Sequence, residues 1–154
     1  MQMLSPHHQQ EEGEDHHQRQ KKTIWVGRGT CHTSNVVYLF VCKCCRKHYI
    51  GKTTQEIKAR TNQHRSSFVQ YANSRGNLTI NTKDMDKFAL GVHLYDEHKL
   101  DKREDFNKSY ELYILEVCSP RIIDVREHLQ IHKHRALAPS GLNLAHTFGL
   151  PLLS

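Results

Sequence analysis

The sequence predicts a small α+β domain, and three observations support that class. The chain has 154 residues, which is the length of one domain, and 37% of them are hydrophobic, enough for one modest core. Runs of β-branched and aromatic residues predict three strands, and apolar residues at three- and four-residue spacing predict three helices. We therefore expect a small three-stranded, mainly antiparallel sheet flanked by helices, in one domain over residues 23–150.

The N-terminal segment differs in composition from the rest of the chain. Residues 1–22 are largely Gln, His and Glu, which is typical of a disordered polar tail, and the glycines in residues 25–29 predict a loop after it. No apolar segment of a secretion signal is visible, and no run approaches membrane-spanning length, so we expect an intracellular protein with no membrane partner. The formal net charge of +6 suits a polyanionic partner, although a basic solvated surface gives the same value.

The first half of the domain is predicted to contain two strands and a helix. Residues 36–41 form a β-branched and aromatic run typical of a buried strand, and residues 49–51 predict a second short strand that ends on a glycine. Thr53 and Glu56 match the hydroxyl-x-x-Glu pattern of a capping box, so we expect Thr53 to begin a helix. A turn signal around Gly76 ends that helix.

The second half is predicted to contain two helices and a strand. Asp86 is expected to cap a second helix, and residues 99–108 are expected to be a charged linker. Residues 110–117 are mostly apolar and predict a third strand, suited to a central position. Ser119-Pro120 begins the last predicted helix. Four residues form one stripe along it: Ile122, Val125, Leu129 and His132.

Cysteines and histidines occur at spacings that can hold a metal ion. In an intracellular chain, clustered thiols are more often metal ligands than disulfides. The predicted structural zinc site is formed by Cys42, Cys45, His93 and His98. We expect the helix to unwind before His98 if both histidines bind one ion. Cys44 is expected not to bind the ion, because the two thiols of C-x-C cannot easily wrap one ion. His48 is a competing ligand. Reduced core cysteines beside two surface histidines are the alternative.

Two tyrosine motifs are followed along the chain by an arginine, a histidine and a late proline-glycine motif: Tyr38, Tyr49-Ile50-Gly51, Arg60, His64 and Pro139-Ser140-Gly141-Leu142-Asn143. With these motifs at these spacings, residues 31–143 resemble the GIY-YIG endonucleases. The first triplet is Val36-Val37-Tyr38, so only its tyrosine is retained. A cysteine pair between the tyrosine motifs is similar to the subgroup carried by Penelope-like retroelements. Gln130 and His134 depart from the large apolar residues usual in the last helix of the family.

The resemblance implies a role for each site residue. Tyr38 would assist the attacking water as base or hydrogen-bond partner, Tyr49 would position the phosphate, and His64 would relay protons or bind phosphate. Glu127 would hold the catalytic Mg²⁺ or Mn²⁺. Arg60 suits charge stabilisation on its own chemistry, because a guanidinium is always charged and forks onto two phosphate oxygens.

Three further positions complete the candidate site. Gly51 would let the backbone approach the substrate, Lys52 would add a phosphate contact, and Asn143 closes the motif. The alternative is that Tyr38 and Tyr49 are ordinary sheet residues and Arg60 a surface residue.

The implied function is a divalent-metal-dependent DNA endonuclease in the nucleus. By resemblance, it would nick target DNA and leave a 3′-hydroxyl that primes reverse transcription, with a reverse transcriptase or retroelement RNA as a further partner. One rival is a catalytically inactive, zinc-stabilised nucleic-acid-binding module. Another is a metal-binding protein-interaction domain that binds no nucleic acid.

Overall fold

A computed structural model of the chain describes residues 24–25 and 29–144. The strands are β1 (Ile24–Trp25), β2 (Val36–Cys42), β3 (His48–Thr53) and β4 (Tyr110–Val117). The helices in this part of the chain are α1 (Ile57–Asn73), α2 (Met85–His98), α3 (Arg103–Ser109) and α4 (Ile123–Lys133). The predicted disordered tail over residues 1–22 lies outside the described residues.

The sheet is built around β2, which pairs antiparallel with β3 on one side and with β4 on the other. The predicted three-stranded antiparallel sheet is therefore confirmed. The two-residue β1 adds a fourth strand, parallel to β4, where the sequence predicted a loop. β1 is too short for an alternating pattern to reveal it. All seven residues of β2 are buried, as its β-branched and aromatic composition requires of a central strand.

Helices cover both faces of the sheet, three on one side and one on the other. Alternate residues of β2 point to opposite faces, so Tyr38 and Phe40 join a core with α1, α2 and α3. Leu39 and Val41 join a second core with Ile123 of α4. None of the helices in the described part of the chain is both long and apolar enough to cross a membrane. Tyr38 and Tyr49 therefore both lie on the face of the sheet that the three helices cover.

The predicted start of the first helix is wrong. Thr53 is the last residue of β3, and its Oγ1 accepts a hydrogen bond from the Gln55 backbone N–H at 3.0 Å, which forms a turn. α1 begins at Ile57, and Glu56 precedes it without a side-chain cap. Short hydroxyl side chains satisfy turns as readily as helix ends, and here the turn prevails.

Three predictions around α2 and α3 are also wrong. Asp86 lies in the first turn of α2 instead of capping it, and its carboxylate is used elsewhere. α2 does not unwind before His98, which is its last residue; Lys99 ends the helix with a left-handed φ of 57°. The predicted linker contains α3, anchored by Phe106, of which only 1% is exposed. One buried aromatic gives too little periodicity to predict a seven-residue helix.

α4 buries its more polar face. It begins at Ile123, later than the predicted Ser119-Pro120, and Ile123, Glu127, Gln130 and Ile131 are its buried residues. The predicted stripe faces solvent instead, with Val125 52% and Leu129 49% exposed. Gln130 fits at its buried position because its amide donates to Glu116 Oε1 at 3.1 Å.

Candidate active site and metal centre

The hairpin between β2 and β3 presents two thiols at one end of the sheet. Cys42 is the last residue of β2, and its backbone N–H and carbonyl bond to Lys47 and Arg46 at 3.0 and 2.8 Å. Arg46 adopts a left-handed φ of 63°, which allows a tight turn between β2 and β3. The turn therefore holds Cys45 beside Cys42; Cys44 and Cys45 are both exposed, but only Cys45 belongs to the ligand cluster.

The last turns of α2 bring two imidazoles to these thiols. The Nε2 atoms of His93 and His98 lie 3.1 Å apart, Cys45 Sγ lies 3.3 Å from His93 Nε2, and Cys42 Sγ lies 3.5 Å from His98 Nε2. All four ligand atoms lie within 4.8 Å of one another. Tetrahedral zinc places neighbouring nitrogen and sulfur ligands about 3.3–3.8 Å apart. The predicted cluster is confirmed as one that could hold a metal ion such as zinc, and Cys44 and His48 are outside it.

Burial has opposite consequences for the two kinds of ligand in the cluster. Burial raises the pKa of the Cys42 thiol to about 11, and burial together with the neighbouring His98 lowers the pKa of His93 to about 4. Neutral imidazole is the form of histidine that binds metal, and a bound cation would draw the proton from the thiol.

The second cluster begins with a close approach between β2 and β3. Tyr38 is paired directly with Gly51 in the antiparallel register, and its ring lies over the glycine. A Cβ at position 51 would stand 2.4 Å from Tyr38 Oη and 2.5 Å from Cζ. Gly51 is therefore required so that the Tyr38 hydroxyl can occupy this place, a reason different from the predicted approach of backbone to substrate.

A hydrogen-bonded chain joins Tyr38, His64 and Arg60. Tyr38 Oη lies 2.8 Å from His64 Nε2 and accepts from Arg60 Nε at 3.2 Å. His64 Nδ1 lies 3.3 Å from the Lys87 carbonyl, which can only accept, so Nδ1 carries the proton. Neutral His64 then accepts at Nε2, and the Tyr38 hydroxyl donates to it. The proton of Tyr38 is thereby directed to His64, while its oxygen faces Arg60.

The protonation states follow from burial. Burial raises the pKa of Tyr38 well above its ordinary value, and the nearby Arg60 only partly offsets this effect. Burial and the charge of Arg60 lower the pKa of His64 to about 3, so the imidazole is neutral at physiological pH. The tyrosine is therefore a hydrogen-bonding group in this environment, and of its two predicted roles the hydrogen-bond partner fits better than the base.

Asp86 joins Tyr49 to Arg60, a contact that the sequence reasoning missed. Tyr49 Oη donates to Asp86 Oδ1 at 2.5 Å, and Arg60 Nη2 donates to Asp86 Oδ2 at 2.8 Å. The Tyr49 hydroxyl also lies 3.1 Å from the Asp86 backbone carbonyl. An acidic residue near the start of a helix is common whether or not it binds a distant side chain. No signal in the sequence therefore indicated that Asp86 bridges Tyr49 and Arg60.

Lys52 joins β3 to the carboxylates of α4. Its ammonium lies 3.2 Å from Glu127 Oε2 and also contacts Asp124, one helical turn earlier. Although burial opposes it, the hydrogen bond to Asp124 and the charge of Glu127 raise the pKa of Lys52. Arg126, the neighbouring cation on α4, pairs with Glu116. The Glu127 carboxylate also contributes to the raised pKa of Tyr38, which places it within electrostatic reach of that hydroxyl.

Asn143 binds the edge of β3 opposite β2, where no strand of the described residues pairs. Its Oδ1 accepts from the Ile50 N–H at 2.8 Å and its Nδ2 donates to the Ile50 carbonyl at 2.7 Å. The amide thus replaces a neighbouring strand between Tyr49 and Gly51. Through these two hydrogen bonds to Ile50, Asn143 positions Tyr49 and Gly51 on either side of it.

Comparisons with known proteins add nothing to this geometry: no protein-family model, no curated protein and no solved structure matches the chain. The metal cluster and the tyrosine cluster therefore have to be interpreted from their chemistry.

Proposed function

We propose that the protein is a divalent-metal-dependent DNA endonuclease of the GIY-YIG type. The observation that carries the proposal is the hydrogen-bonded chain from Arg60 through Tyr38 to His64, closed by Gly51 and bordered by Tyr49. A fixed cation beside two oriented hydroxyls is the kind of arrangement that binds a phosphodiester and the water that attacks it. Burial of these polar groups costs free energy, which a purely structural sheet would avoid with apolar residues.

Each residue has a role that its contacts support. Arg60 stabilises the negative charge that develops on the phosphate oxygens. Tyr38 orients the attacking water, because its own proton is directed to His64 and a lone pair on its oxygen remains for the water. Tyr49 donates to a phosphate oxygen, and His64 keeps the Tyr38 hydroxyl in one orientation.

Glu127 is the residue that would hold Mg²⁺ or Mn²⁺, with Asp124 one turn away. A hard divalent cation prefers carboxylate oxygens and supplies charge neutralisation at the leaving oxygen when bound. The position already suits a cation, since the Lys52 ammonium lies between these carboxylates. Lys52 would have to withdraw from Glu127 and would then be available for a phosphate contact.

The zinc site has a structural role in this proposal. Zinc on the cysteines and histidines would fasten the β2–β3 hairpin to α2. By the resemblance to the endonucleases of Penelope-like retroelements, the nick would leave a 3′-hydroxyl for a reverse transcriptase, and the protein would act on DNA in the nucleus.

Nicking of supercoiled plasmid tests the proposal. Wild-type protein with Mg²⁺ or Mn²⁺ should convert supercoiled to open-circular DNA, and a chelator that removes these ions should stop the reaction. Arg60→Gln and Glu127→Gln should each lower the rate by about 10²–10³-fold while remaining folded. Arg121→Gln is the matched control, because it removes one exposed cation from the turn that precedes α4. Nicking by Glu127→Gln at the wild-type rate would show that the activity is a contaminant or that the site is misassigned.

A catalytically inactive DNA-binding module is the second candidate. The observation that favours it is the pairing of Arg60 with Asp86 and of Glu127 with Lys52, which neutralises the groups that catalysis needs. Tight, salt-sensitive binding of DNA without nicking under any metal condition would decide for this candidate.

A further inference from the structure

Asp86 occupies the position on Arg60 and Tyr49 that an anionic substrate would take. One carboxylate oxygen accepts from Tyr49 and the other from Arg60, at 2.5 and 2.8 Å. A phosphodiester presents two non-bridging oxygens in a similar fork, so the carboxylate and the phosphate compete for the same two donors. The remaining guanidinium contacts of Arg60 go to Tyr38 and Gln63.

The contact is built so that the carboxylate can leave. The Asp86 side chain is 48% exposed, whereas Arg60 is 20% exposed, so the acid lies on the solvent side of the pair. Tyr49 is fully buried, but its hydroxyl also has the Asp86 backbone carbonyl within 3.1 Å. Removal of the carboxylate therefore leaves the tyrosine with a hydrogen-bond acceptor. A rotation of one half-exposed side chain is enough to take the carboxylate away from both donors, with α2 in place.

We propose that Asp86 is an internal competitor for phosphate that sets how tightly the candidate site takes a phosphodiester. The inference rests on the proposed function, because it assigns a residue that tunes substrate affinity at the same site. An internal carboxylate on Arg60 disfavours weakly bound anions and favours a substrate held by additional backbone contacts, as a DNA duplex is.

Asp84 supplies a matched control for Asp86. Both acids stand at the start of α2, and both lose one negative charge on change to asparagine. Asp84 pairs with Lys87 at 3.3 Å and makes no contact with Arg60 or Tyr49 among the bonds of the described residues. Any long-range gain in attraction to DNA is therefore shared by the two variants, and only the loss of competition is specific to Asp86→Asn.

DNA binding gives the first measurement. Fluorescence anisotropy with a short duplex, without added Mg²⁺ or Mn²⁺ so that the DNA is not cleaved and the zinc site is left intact, should give a Kd about five- to tenfold lower for Asp86→Asn than for wild type. Asp84→Asn should change the Kd by about twofold or less. In an Arg60→Gln background, Asp86→Asn should bring no further gain. Equal effects of the two asparagine variants would overturn the inference.

Inorganic phosphate gives a second measurement that does not depend on DNA. The thermal midpoint of Asp86→Asn should rise with millimolar phosphate, and those of wild type and Asp84→Asn should rise much less. A phosphate response specific to Asp86→Asn, in a protein that binds no DNA, would uphold the competitor and reject the endonuclease. DNA nicking by wild type, together with identical phosphate responses in all three proteins, would reject the competitor alone. Asp86→Ser serves as the second variant if Asp86→Asn does not fold.

Discussion

Replacement of Tyr38 by phenylalanine tests whether the hydrogen-bonded chain exists as described. The change keeps the buried ring over Gly51 and removes only the hydroxyl. It leaves His64 Nε2, which is fully buried, without its partner at 2.8 Å. An orphaned buried polar group costs about 1–3 kcal/mol. Loss of the 3.2 Å bond to Arg60 adds little, because that guanidinium is partly exposed and can turn to water.

Urea unfolding measures the effect, and a double-mutant cycle assigns it. Tyr38→Phe should lower the free energy of unfolding by about 1–3 kcal/mol, and combination with His64→Leu should recover about 1 kcal/mol or more of the summed losses. Tyr110→Phe is the control: this tyrosine is also buried and also donates a hydrogen bond, at 2.7 Å to the Leu90 carbonyl. Tyr110→Phe should lose less unfolding free energy, since the Leu90 carbonyl also accepts a hydrogen bond within the helix. This variant should keep its nicking activity. Strictly additive losses of unfolding free energy for Tyr38→Phe and His64→Leu would refute the hydrogen bond between these two side chains.

Three further predictions follow from the two clusters. Cys45→Ser should lose about one equivalent of zinc per chain by elemental analysis and much of the thermal stability, whereas Cys44→Ser should keep both. Gly51→Ala should displace the buried Tyr38 ring and abolish nicking, because the added Cβ would stand 2.4 Å from Tyr38 Oη; an active, stable variant would contradict the packing. The pKa of His64 is lowered to about 3, so below the ordinary value of 6.5 the unfolded chain takes up a proton that the folded chain does not. The free energy of unfolding should therefore fall as pH falls from about 6.5 towards 3, and His64→Leu should show a shallower fall in urea titrations across that range.

The parts of the fold that the sequence could predict are those with a clear hydrophobic pattern or a characteristic spacing of metal-binding residues. The run of β2 predicted a central strand because nearly every residue in it is β-branched or aromatic, and C-x-x-C with a distant histidine pair predicted the metal cluster. Thr53 and Asp86 were misplaced because hydroxyl and carboxylate side chains satisfy turns, helix ends and distant donors equally well, and tertiary contacts decide among them. The polar buried face of α4 could not be predicted for the same reason. Gln130 is buried with its amide donating a hydrogen bond to Glu116, which lies on β4 and not on the same helix.

The two clusters are mechanically connected, because the same two elements carry both. The β2–β3 hairpin holds Cys42 and Cys45 at its tip and Tyr49 along β3, while α2 holds Asp86 at its beginning and His98 at its end. Asp86 and His98 are twelve positions apart along α2, about 18 Å. A metal ion at the far end would therefore fix the rotation and height of α2 against the hairpin, and with them the distance from Asp86 to Tyr49. Loss of the metal should then loosen the Asp86 contact before it unfolds the sheet, since β2 and β4 stay joined by their own backbone hydrogen bonds.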